Sequence, residues 1–293
     1  MVVFDALPEA CLAYIQSFTT PLDICRSSAV SRAFRAAAGS DVAWRAFLPP
    51  ELDDIMSRVT SSPLLPPSSS PKRDVYFSLC DNPVLIDEGI TSFSLHRWTG
   101  KRCFMLGARS LFIVWGDTPR YWRWSTFHGS RFSEVAELRE VSWLEINAKI
   151  ETRVLSPNTD YGAYFVFKFM EGTQGFENLP MEASVSTPRG IKKIVIHLDP
   201  YGNLRKQCEI RREHVGHIFA GIESGRISRA NLWTGWGRQL PQERKDGWSE
   251  VELGWFFTGE DEGGEVQMSL MEVSKKKSGL IIQGIEIRPR HRR

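Results

Sequence analysis

Residues 111–124 read LFIVWGDTPRYWRW, an apolar run followed by a turn and then by a second run rich in aromatic residues. Gly116 and Asp117 are followed by Pro119, which is typical of a turn because glycine permits positive φ angles and proline fixes φ at about −65°. The pattern predicts that one strand ends near Trp115 and that the next begins at Tyr121.

Three tryptophans lie in this stretch, at positions 115, 122 and 124. Alternation along a strand places Trp122 and Trp124 on one face and Arg123 on the other. Large flat rings beside a turn can stack on a sugar, a base or a peptide. The alternative is that each ring fills a β core, which is the commoner fate of a single tryptophan. With three tryptophans so close to a turn, we expect at least one exposed ring.

The second half of the chain shows the two-residue period of β-strands. Residues 144–151 alternate apolar and polar, which predicts a strand with one solvated face. Residues 161–170 (YGAYFVFKFM) predict a central strand, and further strands are predicted at 194–198, 251–257, 266–273 and 280–287. No helical pattern separates them regularly, which favours an antiparallel sandwich over a βαβ enzyme fold.

The N-terminal fifty residues predict three or four short helices. Thr20 and Asp23 form a capping box for one helix, Gly39 ends another, and Asp41 is expected to cap a last helix that contains Trp44. A unit this small carries more apolar side chains than it can bury. Either a partner protein or the chain's own β domain is expected to cover the surplus.

Composition excludes several classes of protein. A net charge of +2 over 293 residues gives no whole-chain basic footprint for nucleic acid. The five cysteines are scattered and odd in number, which fits a reducing compartment and free thiols. We see no secretory signal, no membrane-spanning run, no nucleotide-binding or hydrolase motif and no metal-ligand spacing, so we expect a non-catalytic protein without a cofactor.

Residues 7–49 (LPEACLAYIQSFTTPLDICRSSAVSRAFRAAAGSDVAWRAFLP) resemble an F-box, and the resemblance covers residues 4–50. It implies helices that dock on a Skp1-type adaptor and, through it, on a cullin, as in an SCF ubiquitin ligase. Apolar anchors in a groove are the physical mode of such docking. The contacts carried over by the resemblance are Leu7, Pro8, Ile15, Ile24, Cys25, Val30 and Trp44.

The region from about residue 76 to residue 289 resembles the plant phloem protein 2 family, which includes the Nictaba-type lectins. The motifs that carry this resemblance include SRFSEVAEL at 130–138, WLEI at 143–146, DGW at 246–248 and GIEIRP at 284–289. With the F-box, it suggests a plant F-box protein of the phloem protein 2-B group.

That second resemblance implies a jelly-roll-like sandwich that binds N-acetylglucosamine-containing glycans. Trp115 and Trp122 occupy the positions associated with sugar binding in the lectins. Trp255 stands where the family usually has an acidic residue, and Glu260 lies close enough in sequence to supply a carboxylate. The departure at Trp255 removes one hydrogen-bond acceptor and adds an aromatic ring.

The sequence thus predicts an α+β multidomain protein: an F-box at 1–50 with three helices, a Ser/Pro-rich connector at 51–75, and an antiparallel β-sandwich at 76–293 with a variable insertion at about 187–242. The insertion holds His214 and His217, which we expect to be solvated, and a Trp/Arg-rich loop. Lys275, Lys276 and Lys277 form either a nuclear import patch or a charged hairpin tip.

The predicted function is substrate recognition in a ubiquitin ligase, by a protein of the cytoplasm and nucleus whose target is a glycoprotein or another protein. Two alternatives stay open. One is a carbohydrate-binding lectin without a ligase role, and the other is a nucleic-acid binder that uses the aromatic and basic loop residues. We expect neither nucleic acid nor a membrane as partner.

Overall fold

The structure is a computed structural model of the chain, and it describes residues 7–61, 66, 69–206, 240–260 and 263–290. The predicted histidine pair at 214 and 217, the arginines at 211 and 212 and the tryptophan-rich residues 232–239 lie outside the described residues. Among the described helices, none is long and apolar enough to cross a membrane.

Short helices form the N-terminal part of the described chain. Thr20 caps the second of them as predicted, because its hydroxyl accepts the Asp23 N–H at 3.2 Å and donates to Asp23 Oδ2 at 2.7 Å. Ser40, and not Asp41, caps the fourth, since Ser40 Oγ accepts the Val42 N–H at 3.3 Å. The helices are α1 Glu9–Ser17, α2 Pro21–Ser27, α3 Arg32–Ala37, α4 Asp41–Arg45 and α5 Leu52–Ser57.

The stretch predicted to be a connector, residues 51–75, contains regular structure. Besides α5 it holds strand β1 (Val59–Ser61) and the start of helix α6 (Lys72–Asp81). β1 pairs antiparallel with β2 (Val84–Ile86), and Val59 lies opposite Ile86. The Ser/Pro-rich composition of this stretch does not indicate a strand, and β1 could not be predicted from local sequence because its partner β2 lies more than twenty residues further along the chain.

Within the described residues, the larger of two antiparallel sheets has ten strands. Residues 161–170 lie at its centre as predicted, within β9 (Thr159–Gln174), between β15 (Ser278–Pro289) and β13 (Ser249–Thr258). The strand order is β1-β2-β3-β4-β15-β9-β13-β12, with β6 and β7 attached through β15. The remaining bounds are β3 Thr91–Leu95, β4 Arg102–Gly107, β6 Trp122–Ser125, β7 Val135–Leu138 and β12 Gln242–Glu243.

The smaller sheet has five strands in the order β11-β10-β14-β8-β5. Along β8 every second side chain is buried, so the predicted alternation and its solvated face are confirmed. β11 lies inside the stretch predicted to be an insertion, overlaps the strand predicted at 194–198, and pairs along its whole length with β10. The bounds are β5 Phe112–Ile113, β8 Leu144–Glu151, β10 Met181–Thr187, β11 Gly190–Ile196 and β14 Glu265–Glu272.

One hydrophobic core lies between the inner faces of the two sheets. Phe165 and Phe167 of β9 and Ile146 of β8 are fully buried in it, as is Met268 of β14. The same continuous cluster includes Leu12 of α1, so the core extends into the helical part of the chain. The sandwich and the N-terminal helices are therefore stabilised by shared apolar contacts.

Trp44 joins the helices to the sandwich. Its side chain is only 2% exposed, and its ring centroid lies 5.2 Å from that of Tyr76 and 5.1 Å from that of Phe77, both on α6. The indole N–H donates to the Ala38 carbonyl at 2.7 Å. The Tyr76 hydroxyl in turn donates to backbone carbonyls just beyond β3. This aromatic cluster fixes α4 against α6 and the sheet.

Two polar contacts strengthen the same junction. Asp41 Oδ1 accepts the backbone N–H of Lys72 at 2.7 Å, so it supplies a cap for α6 from outside that helix. Arg102 at the start of β4 donates to both carboxylate oxygens of Glu51 at 2.8 and 2.7 Å. Bidentate pairs of this kind add geometric definition as well as energy.

An ion network lies on the outer face of the larger sheet. Arg244 Nη1 lies 2.7 Å from Glu286 and 2.6 Å from Glu250, and Arg288 also pairs with both carboxylates. Burial raises the pKa of Glu286, but the charges of Arg244 and Arg288 outweigh burial and hold that pKa at about 2. Glu286 therefore stays ionised in the folded protein at all ordinary pH values.

Candidate functional site

The outward side of α1 carries a row of apolar side chains. Cys11 and Tyr14 lie on α1 at i and i+3, which places them on one stripe of the helix; Phe18 follows as its C-cap residue, and Leu7 precedes its N-cap residue. All four are exposed, and Phe18 is 72% exposed. The rings of Tyr14 and Phe18 meet edge to face with centroids 4.9 Å apart. We call this stripe, together with the exposed Ile15, the apolar helix face.

The opposite side of α1 is used by the chain itself. Leu12 and Ala13 are fully buried there. Gln16 is buried beside them and donates from Nε2 to Ser27 Oγ at 2.9 Å and to the Phe34 carbonyl at 3.3 Å. The helix is thus apolar on both sides, whereas a surface helix of a self-contained domain has one apolar stripe. The apolar helix face is therefore apolar surface that the described residues of the chain leave exposed.

Most of the predicted adaptor contacts are exposed, and two are not. Leu7, Pro8, Ile15, Cys25 and Val30 all lie on the surface. Ile24 is fully buried among the helices, and Trp44 is buried against α6, so these two cannot touch a partner in this conformation.

Tyr14 and Phe18 were absent from the predicted contacts although they are the larger exposed side chains. Helical spacing from Cys11, with Tyr14 at i+3 and Phe18 at i+7, was the signal that could have found them.

Trp115 occupies the tip of the turn between β5 and β6. Its φ angle of +57° is in the left-handed region, which is strained for a bulky residue, and its side chain is 47% exposed. The ring of Tyr121 lies 5.2 Å away at an angle of 36°. The Asp117 side chain is exposed in the same turn. Trp115, Asp117 and Tyr121 form what we call the aromatic turn.

Trp122 supports this turn from inside and also lines a shallow cavity of about 210 Å³ beside it, together with Asp117 and Arg123. It is 2% exposed, and its indole N–H donates to the Val114 carbonyl at 3.1 Å. Trp124 lies on the same side of β6, as alternation predicts, and donates to the Gly116 carbonyl at 2.9 Å. Most of the Trp122 ring packs into the sandwich, so little of it is available to a ligand, and its contact with a ligand stays a prediction.

A stacked pair supports the turn from below. The Arg109 guanidinium carbon lies 3.7 Å from the centroid of the Trp124 ring, and Arg109 Nε donates to Glu134 at 2.7 Å. That hydrogen bond lowers the pKa of the Glu134 carboxyl. Glu134 thus has a structural role, since it holds the Arg109 guanidinium against Trp124.

Trp255 and Glu260 lie elsewhere. Trp255 is on β13, which contacts β10 and β11, whereas Trp115 follows β5 at the opposite edge of the five-stranded sheet. The Lys192 ammonium lies 3.2 Å from the centroid of the Trp255 ring. Glu260 accepts from Asn158 Nδ2 at 2.8 Å. The structure does not bring the predicted glycan contacts into one site, since their strands belong to different edges.

The lysine run at 275–277 is not a continuous exposed patch. Lys277 is fully buried, and its ammonium donates to the Glu272 carboxylate and to the Ser142 carbonyl. Lys276 pairs with Glu140 at 2.6 Å. Two of the three lysines therefore stabilise the hairpin between β14 and β15.

The thiols of Cys80 and Cys103 lie in surroundings that disfavour their reactive, ionised form. Burial raises the pKa of the Cys80 thiol to about 11 and also raises that of Cys103, so both remain protonated and unreactive. Across the described positions, no three His, Cys, Asp or Glu side chains are arranged to hold a metal ion.

Comparisons with known proteins agree with both resemblances. Residues 101–289 match the family model described as Phloem protein 2. F-box protein PP2-B10 of Arabidopsis thaliana is 40% identical over 292 residues, covering 98% of this chain and 94% of the relative. F-box protein VBF of the same plant is 39% identical over 289 residues, covering 97% and 99%.

Among solved structures, the carbohydrate-binding module TmCBM27, from a study of mannan recognition, covers 64% of this chain and 89% of its own at 9% identity and a TM-score of 0.27. So distant a likeness says nothing about what this chain binds. The family model and the near-complete coverage of the plant relatives are sufficient: the chain belongs to the phloem protein 2 family, among the F-box proteins of its PP2-B group.

Proposed function

We propose that this chain is the substrate-recognition subunit of an SCF-type E3 ubiquitin ligase. Its N-terminal helices dock on a Skp1-type adaptor, which connects the chain to a cullin, and its β domain captures the target. The words "F-box protein" in the names of relatives that span nearly the whole chain support this role. No catalytic group is needed, because such a receptor accelerates transfer by holding target and ubiquitin donor together.

The apolar helix face is the observation that carries the proposal. Contiguous exposed apolar side chains on a soluble protein mark an interaction surface, and large rings such as Phe18 are the typical anchors of one. The helix that bears them is already anchored from its other side by Leu12 and Ala13. It can therefore offer the face to a groove on a partner without rearranging.

For the target we propose a glycoprotein that carries N-acetylglucosamine, bound at the aromatic turn. The exposed ring of Trp115 offers a flat apolar surface for one face of a sugar, and the Asp117 carboxylate can accept hydroxyl hydrogen bonds. The hydrogen bonds from Trp122 and Trp124 to the turn's carbonyls hold that ring in place before a ligand arrives. We further propose that the protein acts in the cytoplasm and nucleus.

Co-purification with Skp1 tests the ligase half. The triple variant Leu7→Ala, Tyr14→Ala, Phe18→Ala should lose the adaptor, because it removes exposed anchors and leaves the helical interior intact. Phe112→Ala is a matched control, since Phe112 is 67% exposed on the sandwich. Adaptor binding by the triple variant equal to that of the control contradicts the proposal.

A lectin without a ligase role is the second candidate, favoured by the strained, exposed ring of Trp115. Binding of N-acetylglucosamine without any retention of Skp1 would support it. Within either role, Trp115→Ala should abolish sugar binding. Trp98→Ala, which removes a similarly exposed ring from a different loop, should not. Equal sugar binding by both variants removes the aromatic turn as the sugar site.

A further inference from the structure

A polar groove of about 530 Å³ crosses the outer face of the five-stranded sheet. It lies on the side of the sheet that faces away from the core, and it extends from the β5 edge to the β11 edge. None of the side chains that line it belongs to the apolar helix face or to the aromatic turn. The lining includes Phe112, Asn147, Ser184, Ser186, Lys193 and Ser269.

Strand register aligns part of this lining in one row. Lys193 lies opposite Ser184, Ser184 opposite Ser269, Ser269 opposite Asn147, and Asn147 opposite Phe112. The row therefore runs perpendicular to the strands across all five of them. Four interstrand spacings of about 4.8 Å give it a length of roughly 19 Å. That length suits a chain of several sugar units and exceeds a single one.

Side-chain size produces the groove. Ser184 and Ser269, in the middle of the row, are small and half-buried, whereas Gln267, Lys149 and Glu182 nearby are longer. A floor of short side chains between longer ones leaves a channel on an otherwise flat sheet. The exposed Phe112 ring lies at the β5 end of this channel.

The polar groups of the groove match a neutral ligand rich in hydroxyls. Within the described chain, the hydroxyls of Ser184, Ser186 and Ser269 make no hydrogen bond to other protein atoms, so each can both donate and accept. The charges are already matched, since Lys193 pairs with Glu182 at 2.8 Å and Lys149 with Glu265 at 2.9 Å. A charged ligand would have to compete with these pairs, and a neutral one would not.

Beyond Asn147, the same face of β8 continues with an oriented carboxylate. Glu145 accepts from the Trp143 indole N–H at 2.9 Å and from Asn147 Nδ2 at 3.0 Å. Trp143 is itself exposed. An aromatic ring, a fixed carboxylate and an amide beside the row are groups that stack on sugar faces and form hydrogen bonds with hydroxyls.

We propose that this groove binds a neutral oligosaccharide chain of several units lying across the strands, with Ser184, Ser269 and Asn147 hydrogen-bonding its hydroxyls and Phe112 stacking on one unit. An extended peptide fits less well, because β8, β10 and β14 are interior strands whose backbone groups are already paired on both sides. The inference rests on the carbohydrate-binding half of the proposed function and is independent of Skp1 docking.

The test is calorimetric titration of the full chain with N-acetylglucosamine and its β-linked di-, tetra- and hexasaccharide, and with the hexasaccharides of glucose and mannose. At least one hexasaccharide should bind about tenfold more tightly than its monosaccharide. Ser269→Tyr, which fills the groove, and Phe112→Ala should each weaken hexasaccharide binding about tenfold. Val195→Tyr, on the same sheet face but outside the lining, is the matched control and should have no effect.

The outcomes separate the groove from the aromatic turn. Hexasaccharide affinity that survives Ser269→Tyr and Phe112→Ala but falls with Trp115→Ala overturns the groove and leaves the proposed function in place. Loss of hexasaccharide binding in the groove variants, with Trp115→Ala unchanged, supports the groove and removes the turn. No binding of any oligosaccharide, or binding of neutral peptides that Ser269→Tyr abolishes, overturns the inference.

Discussion

Trp44 and Phe18 should respond in opposite ways when their rings are removed. Trp44→Ala deletes a fully packed ring, which typically costs about 3–5 kcal/mol, and also the hydrogen bond to the Ala38 carbonyl, worth about 1 kcal/mol. The total of about 4–6 kcal/mol should lower the Tm by roughly 10 °C in a chain of this size. Any loss of adaptor binding should then follow from unfolding of the helices.

Phe18→Ala should leave stability almost unchanged and weaken docking. The ring is 72% exposed, and substitutions at such positions usually alter the free energy of unfolding by less than about 0.5 kcal/mol. An aromatic anchor buried on binding contributes about 2 kcal/mol or more to the affinity. Loss of that contribution raises the Kd for the Skp1-type adaptor by roughly 30-fold.

Two measurements separate these effects. Scanning calorimetry gives the Tm of each variant, and titration of the adaptor is carried out well below the lowest Tm. Trp44→Phe provides a milder core variant that stays folded during titration, and Phe112→Ala provides an exposed control. A folded Trp44→Phe that has lost the adaptor, beside a Phe18→Ala that binds normally, would refute the assignment of buried and exposed sides.

Three further predictions concern the sandwich. The pKa of Glu286 is about 2 in the folded protein, below its usual value of 4.5, so the ionised carboxylate stabilises the fold at every pH above 4.5. The free energy of unfolding should fall as the pH drops from 4.5 toward 2. Urea midpoints of Glu286→Gln should depend less on pH over that range than those of the unsubstituted protein. Lys277→Met leaves the Glu272 charge buried and should cost about 3–5 kcal/mol in urea unfolding, most of it recovered when Glu272→Leu is added. Trp122→Phe should lower the Tm but leave sugar affinity unchanged at temperatures where the protein is folded, and a selective loss of affinity would contradict its structural role.

Local signals predicted the parts of the fold that depend on neighbours in sequence. Thr20 and Asp23 predicted the start of α2 correctly, because all the residues of a capping box lie within four positions of the sequence. The alternation of apolar and polar residues in β8 predicted its buried face, because this pattern too is local in sequence. Asp41 shows the limit of this logic: its sequence position suggested a cap for α4, but its carboxylate accepts a backbone N–H from α6 instead.

The fate of each aromatic ring could not be predicted in this way. Trp115 and Trp122 are chemically identical and lie in the same motif, yet one is exposed and the other is buried. Trp122 lies on the side of β6 that packs on the sandwich, whereas Trp115 lies at the tip of the turn before that strand, and the packing of β6 depends on strands far away in sequence. Likewise, the buried side of α1 was recognisable as apolar, but which apolar stripe remains on the surface follows only from its packing on α3 and α4.

The bond between Asp41 and Lys72 and the ring cluster around Trp44 join α4 directly to α6, across the stretch in which the sequence suggested a connector. In a ligase receptor with its helices joined to its β domain in this way, the distance between the bound adaptor and the captured target would be fixed. Only target lysines that happen to fall within that reach would be modified, so the choice of acceptor site would be set by geometry as much as by recognition.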